Sequence, residues 1–148
     1  MREIIFKAKR TDNGKWVEGF YVCCRKCHYI LPIFNEYESF HGFDDRYDDW
    51  IEVDISTLCQ YTGLTDENSK KIWENDIVHN GNYFIVKWNE KCVRFDLVRI
   101  PYGRFPIGEW KPLIIDWRTD DWKEYTTNLD YNIIGNVFDN PELIENGN

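Results

Sequence analysis

The sequence of 148 residues predicts a mainly β fold, a β-rich α+β chain. Near its start, Ile4, Phe6 and Ala8 alternate with a second set of residues, which is the period of a β-strand. Further on, Asn80-Gly81 separates two strand-like runs, and this dipeptide is the strongest two-residue hairpin signal. Aromatic residues make up 17% of the chain and suit thin β layers. The length fits one domain or two small subdomains that share a core.

The first 34 residues predict three strands. A turn at Asp12-Asn13-Gly14 separates the opening strand from a second one at residues 16–22. Gly19 inside that second strand indicates a bulge or a close approach of another backbone. A third strand is expected at residues 28–34, and Pro32 favours a place for it at a sheet edge, because proline lacks the ladder donor.

Three cysteines lie between the second and third strands, and Cys24-Arg25-Lys26-Cys27-His28 matches the C-x-x-C-H pattern of covalent haem attachment. Haem attachment requires export, but residues Met1 to Lys7 lack the long apolar segment of an export signal. Cys24 and Cys27 also have the spacing of zinc ligands, with His28 adjacent, but no second ligand pair follows. We therefore expect a hairpin turn with reduced, half-buried thiols, no cofactor, and Cys24, Cys27 and His28 as weak metal candidates.

The middle of the chain predicts a short strand at residues 50–53 and a single helical turn at residues 56–59, capped by Asp54 or Ser56. The acidic run at residues 44–49 lacks the alternating spacing of a calcium loop and predicts a solvated loop. Further strands are expected at residues 76–79, 82–88, 92–100 and 113–117. At the C-terminus we expect a last strand, then a short helical turn that Asn140 caps, with Pro141 first in it.

Two stretches of this chain carry a family resemblance. Gln60-Tyr61-Thr62-Gly63, an acidic turn and Asp76-Ile77-Val78 resemble the signature of the YopX family of bacteriophage and prophage proteins. The C-terminal run of Ile-Gly-Asn, two hydrophobic residues and Asn-Pro-Glu-Leu resembles that family's ending. The motif positions, with a structural or interaction role, are Gln60, Tyr61, Thr62, Gly63, Asp66, Ile72, Asp76, Ile77, Val78, Gly135, Asn136, Asn140 and Pro141.

The resemblance implies a fold but no established activity. It implies a C-terminal SH3-like small barrel at residues 61–148 and a smaller β-rich N-terminal subdomain at residues 1–60. The sequence departs from the family pattern at Ile55, Cys59, Ser69 and Asn75. Asn75 tolerates a left-handed backbone, whereas Ser69 is costlier in a position that commonly holds glycine, unless Asn68 takes the strained conformation instead.

Charge restricts the partners. The net charge of −8 disfavours general nucleic-acid and anionic-membrane binding, and no apolar run approaches a membrane span. Residues 1–27 hold seven Lys/Arg and three Asp/Glu, a local +4, whereas residues 28–60 hold one Arg and eight Asp/Glu, a local −7. Such blocks pair within a chain or between copies, and we expect a homo-oligomer, with a phage or host protein as a further partner. Five cysteines without an export signal favour a bacterial cytoplasm.

Three functional hypotheses remain. The first is a non-enzymatic phage or prophage accessory protein that acts by protein–protein contact. The second is a nucleic-acid-associated module that uses the SH3-like barrel and the basic N-terminus. The third is a small hydrolase with a carboxylate site, for which Glu74 and Asp76 are the candidate pair because residues two apart on a strand share a face. No nucleophile motif or phosphate-binding glycine loop occurs, so we assign no catalytic residue.

Overall fold

The computed structural model describes residues 3–33, 50–91, 93–99, 110–112 and 131–145. These ranges contain ten β-strands and one short helix, which confirms the mainly β prediction. They are β1 Phe6–Arg10, β2 Trp16–Cys24, β3 Cys27–Pro32, β4 Ile51–Thr65, β5 Lys71–Trp73, β6 Asp76–His79, β7 Tyr83–Asn89, β8 Arg94–Arg99, β9 Trp110–Pro112, β10 Asn132–Asn136 and α1 Glu142–Glu145. The acidic run at 44–49, Cys92 and the strand predicted at 113–117 lie outside the described residues.

The chain divides into two compact units, Met1–Tyr61 and Thr62–Asn148. In the first unit, β1 pairs with β2 and also with β4, while β3 pairs with β2 and β4. The four antiparallel strands therefore close into a ring. Its interior is a small apolar core built on the buried residues Ala8, Ile30 and Val53.

For this ring of strands, the prediction made from Gly19 is confirmed and the prediction made from Pro32 is wrong. A Cβ on Gly19 would lie 2.0 Å from the carbonyl oxygen of Leu31, which confirms the predicted close approach of a neighbouring backbone. The edge position predicted for β3 is wrong, because β3 lies between β2 and β4. Its ladder to β4 holds the pairs Tyr29–Glu52 and Ile30–Ile51. Pro32 comes two residues later, so its missing N–H costs that ladder nothing.

Strand β4 replaces the short strand and helical turn predicted around residues 50–59, and it runs for 15 residues. Opposite β1 its register shifts between Lys7, paired with Cys59, and Lys9, paired with Asp54. Asp54 holds this irregular stretch, since its Oδ1 accepts hydrogen bonds from the backbone N–H and the hydroxyl of Ser56, at 2.9 and 2.7 Å. Local bonding of an Asp side chain two residues onward thus forms a bulge, where we had predicted a helix cap.

In the second unit, five antiparallel strands follow the order β10-β6-β7-β8-β9. Buried side chains from β5 to β8 form one core, to which Leu64, Trp88, Tyr131 and Ile133 add partly buried surface. The last residues of β4 pair with β5. Closure of this unit as an SH3-like barrel stays a prediction.

Two hairpin turns differ in backbone conformation. Between β6 and β7 the loop is Asn80-Gly81-Asn82, because His79 pairs with Tyr83, and of these three residues Gly81 has a positive φ, of 70°. The Asn80-Gly81 dipeptide predicts a type I′ turn, which requires two residues with positive φ, so that prediction is wrong. The I′ pattern occurs between β2 and β3, where Arg25 and Lys26 have φ of 51° and 70° and Cys24 pairs with Cys27.

Candidate functional site

One carboxylate organises the turn that follows β4. The Oδ1 atom of Asp66 accepts hydrogen bonds from the backbone N–H groups of Asn68 and Lys70, at 2.8 and 2.9 Å. Its Oδ2 atom accepts the N–H of Ile133 on β10, at 3.2 Å. The side chain is fully buried. Asp66 therefore joins the two segments that carry the strongest motif resemblance.

The ionised form of Asp66 is the stable one. Burial by itself raises the pKa of this carboxyl, because it removes water from the charge. The backbone N–H groups of Lys70, Ile133 and Asn68, together with the charge of Lys70, more than offset burial and bring the pKa of Asp66 below its ordinary value. A buried charge with three backbone donors is satisfied, which marks this residue as an organiser of structure.

The second meeting point of the motif segments is the pairing of β6 with β10. Asp76 pairs with Asn136, Ile77 with Gly135 and Val78 with Ile133. The Oδ2 atom of Asp76 also accepts the backbone N–H of Trp73, at 2.8 Å, and so closes the turn between β5 and β6. Asp76 is 2% exposed, so its carboxylate accepts this hydrogen bond in the interior of the protein.

Gly135 and Asn140 pack against each other with no room for an extra atom. A Cβ on Gly135 would lie 2.3 Å from Oδ1 of Asn140. That oxygen accepts the backbone N–H of Asn136, at 3.2 Å, while the carbonyl of Asn140 accepts the N–H of Leu143 in α1. The predicted helical turn after Pro141 is confirmed, but the Asn140 side chain bonds back to β10 instead of capping the helix.

The remaining motif positions divide between the two units. Gln60 and the buried Tyr61 lie on β4 in the first unit, where Gln60 pairs with Phe6. Thr62 begins the second unit, and its hydroxyl donates to the carbonyl of Ile72, at 2.8 Å. Gly63 on β4 has φ of 87°, which a residue with a Cβ rarely adopts. A structural or interaction role for the whole motif set stays a prediction.

The carboxylate pair expected from Glu74 and Asp76 does not share a strand face. Glu74 lies in the turn between β5 and β6, and Asp76 is the first residue of β6. In the ranges that the structure describes, no three His, Cys, Asp or Glu side chains converge as metal ligands would. The described carboxylates of Asp66, Asp76 and Asp96 are buried and bonded to protein groups.

The first unit carries an exposed apolar surface that the sequence reasoning missed. On β2, Tyr21 packs against the interior, so its neighbour Phe20 points outward and is 51% exposed. Phe20 pairs directly with Leu31 of β3, and Ile33 just beyond β3 is 46% exposed. We call Phe20, Leu31 and Ile33 the hairpin face. Phe20 and Tyr21 are neighbours on one strand, so one side chain must point inward and the other outward. Because both are aromatic, the sequence does not show which of them is exposed.

The predicted metal candidates lie on two faces of the same hairpin. Cys24 and Cys27 are opposed across the turn, both partly exposed, whereas the next residue, His28, points to the other face of β3. There the Nδ1 atom of His28 lies 2.6 Å from the hydroxyl of Tyr21 and their rings stack. The three candidates therefore do not form one ligand set.

An open groove of about 490 Å³ lies beside this hairpin tip, within the first unit. Its charged lining combines Lys9, Arg10 and Lys26 with Glu52 and Asp54. Arg10 is bonded to Asp12, and Asp54 is bonded to Ser56. The groove thus has mixed charge, and two of its charged groups, Arg10 and Asp54, are already hydrogen-bonded within the protein.

The chain matches a known protein family. The model of the family described as YopX protein matches residues 5–145, nearly the whole chain. This chain belongs to the YopX family. The residues of the proposed motif lie inside the matched range, and those in the second unit meet around Asp66 and along the β6–β10 ladder.

Two individual proteins are similar to this YopX-family chain. Subunit RPA2 of DNA-directed RNA polymerase I from Euplotoides octocarinatus is 34% identical over 109 residues, which cover 68% of this chain and 9% of that subunit. The crystal structure of protein EF1440 from Enterococcus faecalis has a TM-score of 0.48 and 18% identity, covering 98% of this chain and 100% of that one. Among the described residues, no helix is long and apolar enough to cross a membrane.

Proposed function

We propose that this YopX-family protein is a phage- or prophage-type accessory protein of the bacterial cytoplasm that acts by binding another protein through the hairpin face. The observation that carries the proposal is the direct pairing of the half-exposed Phe20 with Leu31, next to the half-exposed Ile33. Adjoining exposed apolar side chains mark protein interaction sites, and Phe is among the residues enriched at protein interfaces.

The backbone under the hairpin face supports the proposal because it is held on both sides. Strand β2 pairs with β1, and β3 pairs with β4, so neither strand is free to shift register. The close approach of Gly19 to Leu31 fixes the spacing of the two strands beneath Phe20. A surface that is already ordered loses little conformational entropy on binding, which favours affinity.

The test is affinity capture of tagged protein from host lysate, with a photo-crosslinking residue beside the hairpin face. Phe20→Ser removes the aromatic group, and Ile55→Ser is the matched control, because Ile55 is 45% exposed on another strand of the same unit. We expect Phe20→Ser to reduce recovery of a specific protein by about 30-fold, the size of a hot-spot loss. Equal recovery with both variants contradicts the proposal.

We also propose that the protein self-associates. The basic residues 1–27 and the acidic residues 28–60 give two copies complementary charge. Light scattering at micromolar concentration should give a mass above 17.9 kDa at low salt, and the mass should fall as salt screens the charges. A mass of one chain at both low and high salt contradicts self-association.

Nucleic-acid binding is the second candidate, and one feature favours it. The Nζ atoms of Lys7 and Lys9 lie 4.7 and 5.4 Å from the ring centre of Trp16, a stripe of cations and aromatic surface of the kind that binds single strands. The net charge of −8 and the pairing of Lys7 with Glu18 act against it. Salt-sensitive binding of a labelled single-stranded oligonucleotide, lost in Lys7→Glu, would favour this candidate over protein binding.

A further inference from the structure

The tip of the β2–β3 hairpin places two thiols opposite each other. Cys24 and Cys27 are the last cross-strand pair before the two-residue turn, and both are partly exposed. Directly opposed residues of an antiparallel pair have Cα atoms about 4.5–5.5 Å apart, and disulfides form at Cα separations of about 4.4–6.8 Å. The backbone therefore already holds both residues at bonding distance.

The surroundings of these thiols differ from those of the other described cysteines. The Tyr29 phenol, two residues along the same face as Cys27, has a pKa raised first by a hydrogen bond with the Cys27 side chain, then by burial and by the charges of Cys27, Glu52 and Cys24. The Cys27 thiol thus lies within hydrogen-bonding reach of this hydroxyl, and Cys24 is the cross-strand partner of Cys27. Cys23 points to the opposite face, where it pairs with His28, and Cys59 is buried.

We propose that Cys24 and Cys27 are a reversible dithiol–disulfide site, whose co-substrate is a low-molecular-weight disulfide. The Cys24 thiolate attacks one sulfur of that disulfide, forms a mixed disulfide and releases one small thiolate. The Cys27 thiolate then attacks the Cys24 sulfur, which forms the Cys24–Cys27 bond and releases the second small thiolate. Two electrons pass to the small disulfide, and the two protons lost by the cysteines end on its thiols.

The backbone conformation of the turn contributes to this site. Arg25 and Lys26 hold the turn closed with positive φ, although neither residue type favours it. Since the turn brings the strands together before any bond forms, the effective concentration of one thiol at the other is higher than in an unfolded chain. Closure of a Cys23–Cys24 bond is disfavoured by comparison, because its small ring would distort a planar peptide bond.

Tryptic mapping tests the proposal directly, because trypsin cleaves after Arg25 and Lys26, between the two cysteines. The full chain is equilibrated with glutathione disulfide, alkylated and digested. A Cys24–Cys27 bond links peptide 16–25 to peptide 27–46, whereas a Cys23–Cys24 bond stays inside peptide 16–25. We expect the linked pair, and a fall from five to three titratable thiols per chain after denaturation, reversed by dithiothreitol.

Three variants and a measurement in urea make the result specific. Cys23→Ser should retain the linked peptides, whereas Cys24→Ser and Cys27→Ser should each abolish the intramolecular link. In urea the equilibrium constant for the bond should fall by about tenfold, because the turn no longer opposes the thiols. The proposal is overturned if the linked peptides do not form, if Cys23→Ser abolishes them, or if the unfolded chain forms them equally well.

Discussion

The Asp66 carboxylate accepts a hydrogen bond from the backbone N–H of Ile133 across 67 positions of the chain. The same carboxylate closes the turn that leads from β4 to β5, through the N–H groups of Asn68 and Lys70. One buried side chain thus fixes a local turn and anchors β10 to it. The middle and C-terminal motif segments are therefore in direct contact through this carboxylate.

Replacing Asp66 with Asn should destabilise the protein by about 2–4 kcal/mol. The variant keeps one acceptor oxygen, loses the charge and turns an N–H group toward a backbone N–H, which leaves buried donors unpaired. Urea unfolding followed by tryptophan fluorescence measures the change. Glu67→Gln is the matched control, because that neighbouring side chain is exposed, and it should change stability by less than about 0.5 kcal/mol.

The pH dependence provides a second readout of the same residue. The pKa of Asp66 is lower in the folded protein than the ordinary value of about 3.9, so its ionised form stabilises the fold above that value. This contribution is lost as pH falls through the lower folded pKa. The stability difference between wild type and Asp66→Asn should be constant from about pH 7 to 5 and shrink below about pH 4. A difference that grows with acidity would contradict this account.

Gly135→Ala should destabilise the protein by about 1–3 kcal/mol, because its Cβ would overlap Oδ1 of Asn140. Asn140→Ala alone also costs stability, since the N–H of Asn136 loses its acceptor. In the double variant the Asn140 amide is absent, so the added Cβ no longer overlaps it. The stability lost by the double variant should therefore be smaller than the sum of the losses in the two single variants. A double-mutant cycle by thermal or urea unfolding determines this coupling, and strict additivity would argue against the contact.

Ser69→Gly should stabilise the protein by about 0.5–1 kcal/mol. Ser69 itself takes the left-handed conformation, with φ of 64°, and relief of its Cβ strain outweighs the entropy cost of glycine. Asn75→Gly is the comparison, because Asn75 has φ of 68° but its Oδ1 accepts Nζ of Lys87 at 2.6 Å. We expect no gain there. The midpoint of urea unfolding should rank Ser69→Gly above wild type and Asn75→Gly at or below it.

Gly81→Val should destabilise the β6–β7 hairpin by about 1–2 kcal/mol. No atom lies within 4 Å of a Cβ built on Gly81, so the cost comes from its φ of 70° and not from a clash. Gly81→Asn, which tolerates that conformation, should cost less. Equal melting temperatures for Gly81→Val and wild type would contradict the assigned turn.

Local signals predicted much of this fold. Alternation located β1, the Asp12-Asn13-Gly14 turn separated it from β2, Asn80-Gly81 located the β6–β7 hairpin, and the C-terminal Asn-Pro pair located α1. The I′ turn at Arg25-Lys26 was not predictable from composition, because tertiary pairing imposes a conformation that neither residue favours. The β1–β4 pairing was also missed, since it joins residues about 50 positions apart and no local pattern encodes it.

The candidate sites were likewise only partly predictable from the sequence. The positions of the motif residues came from the family resemblance, but the donors to Asp66 are backbone groups, which have no sequence signature. The exposure of Phe20 depends on which of two adjacent aromatic residues enters the core. Cys24 and Cys27 face each other because of the register of the hairpin. Their spacing in the sequence fits either a turn or a metal site and does not decide between the two.

The ring of strands in the first unit implies an order of assembly during synthesis. β1, β2 and β3 can pair as soon as residue 32 has left the ribosome, because they are neighbours in the chain. The second neighbour of β1 is β4, whose pairing with β1 extends from Val53 to Gln60. The ring therefore closes only after Gln60 has emerged, and until then the outer edge of β1 is open to other nascent chains.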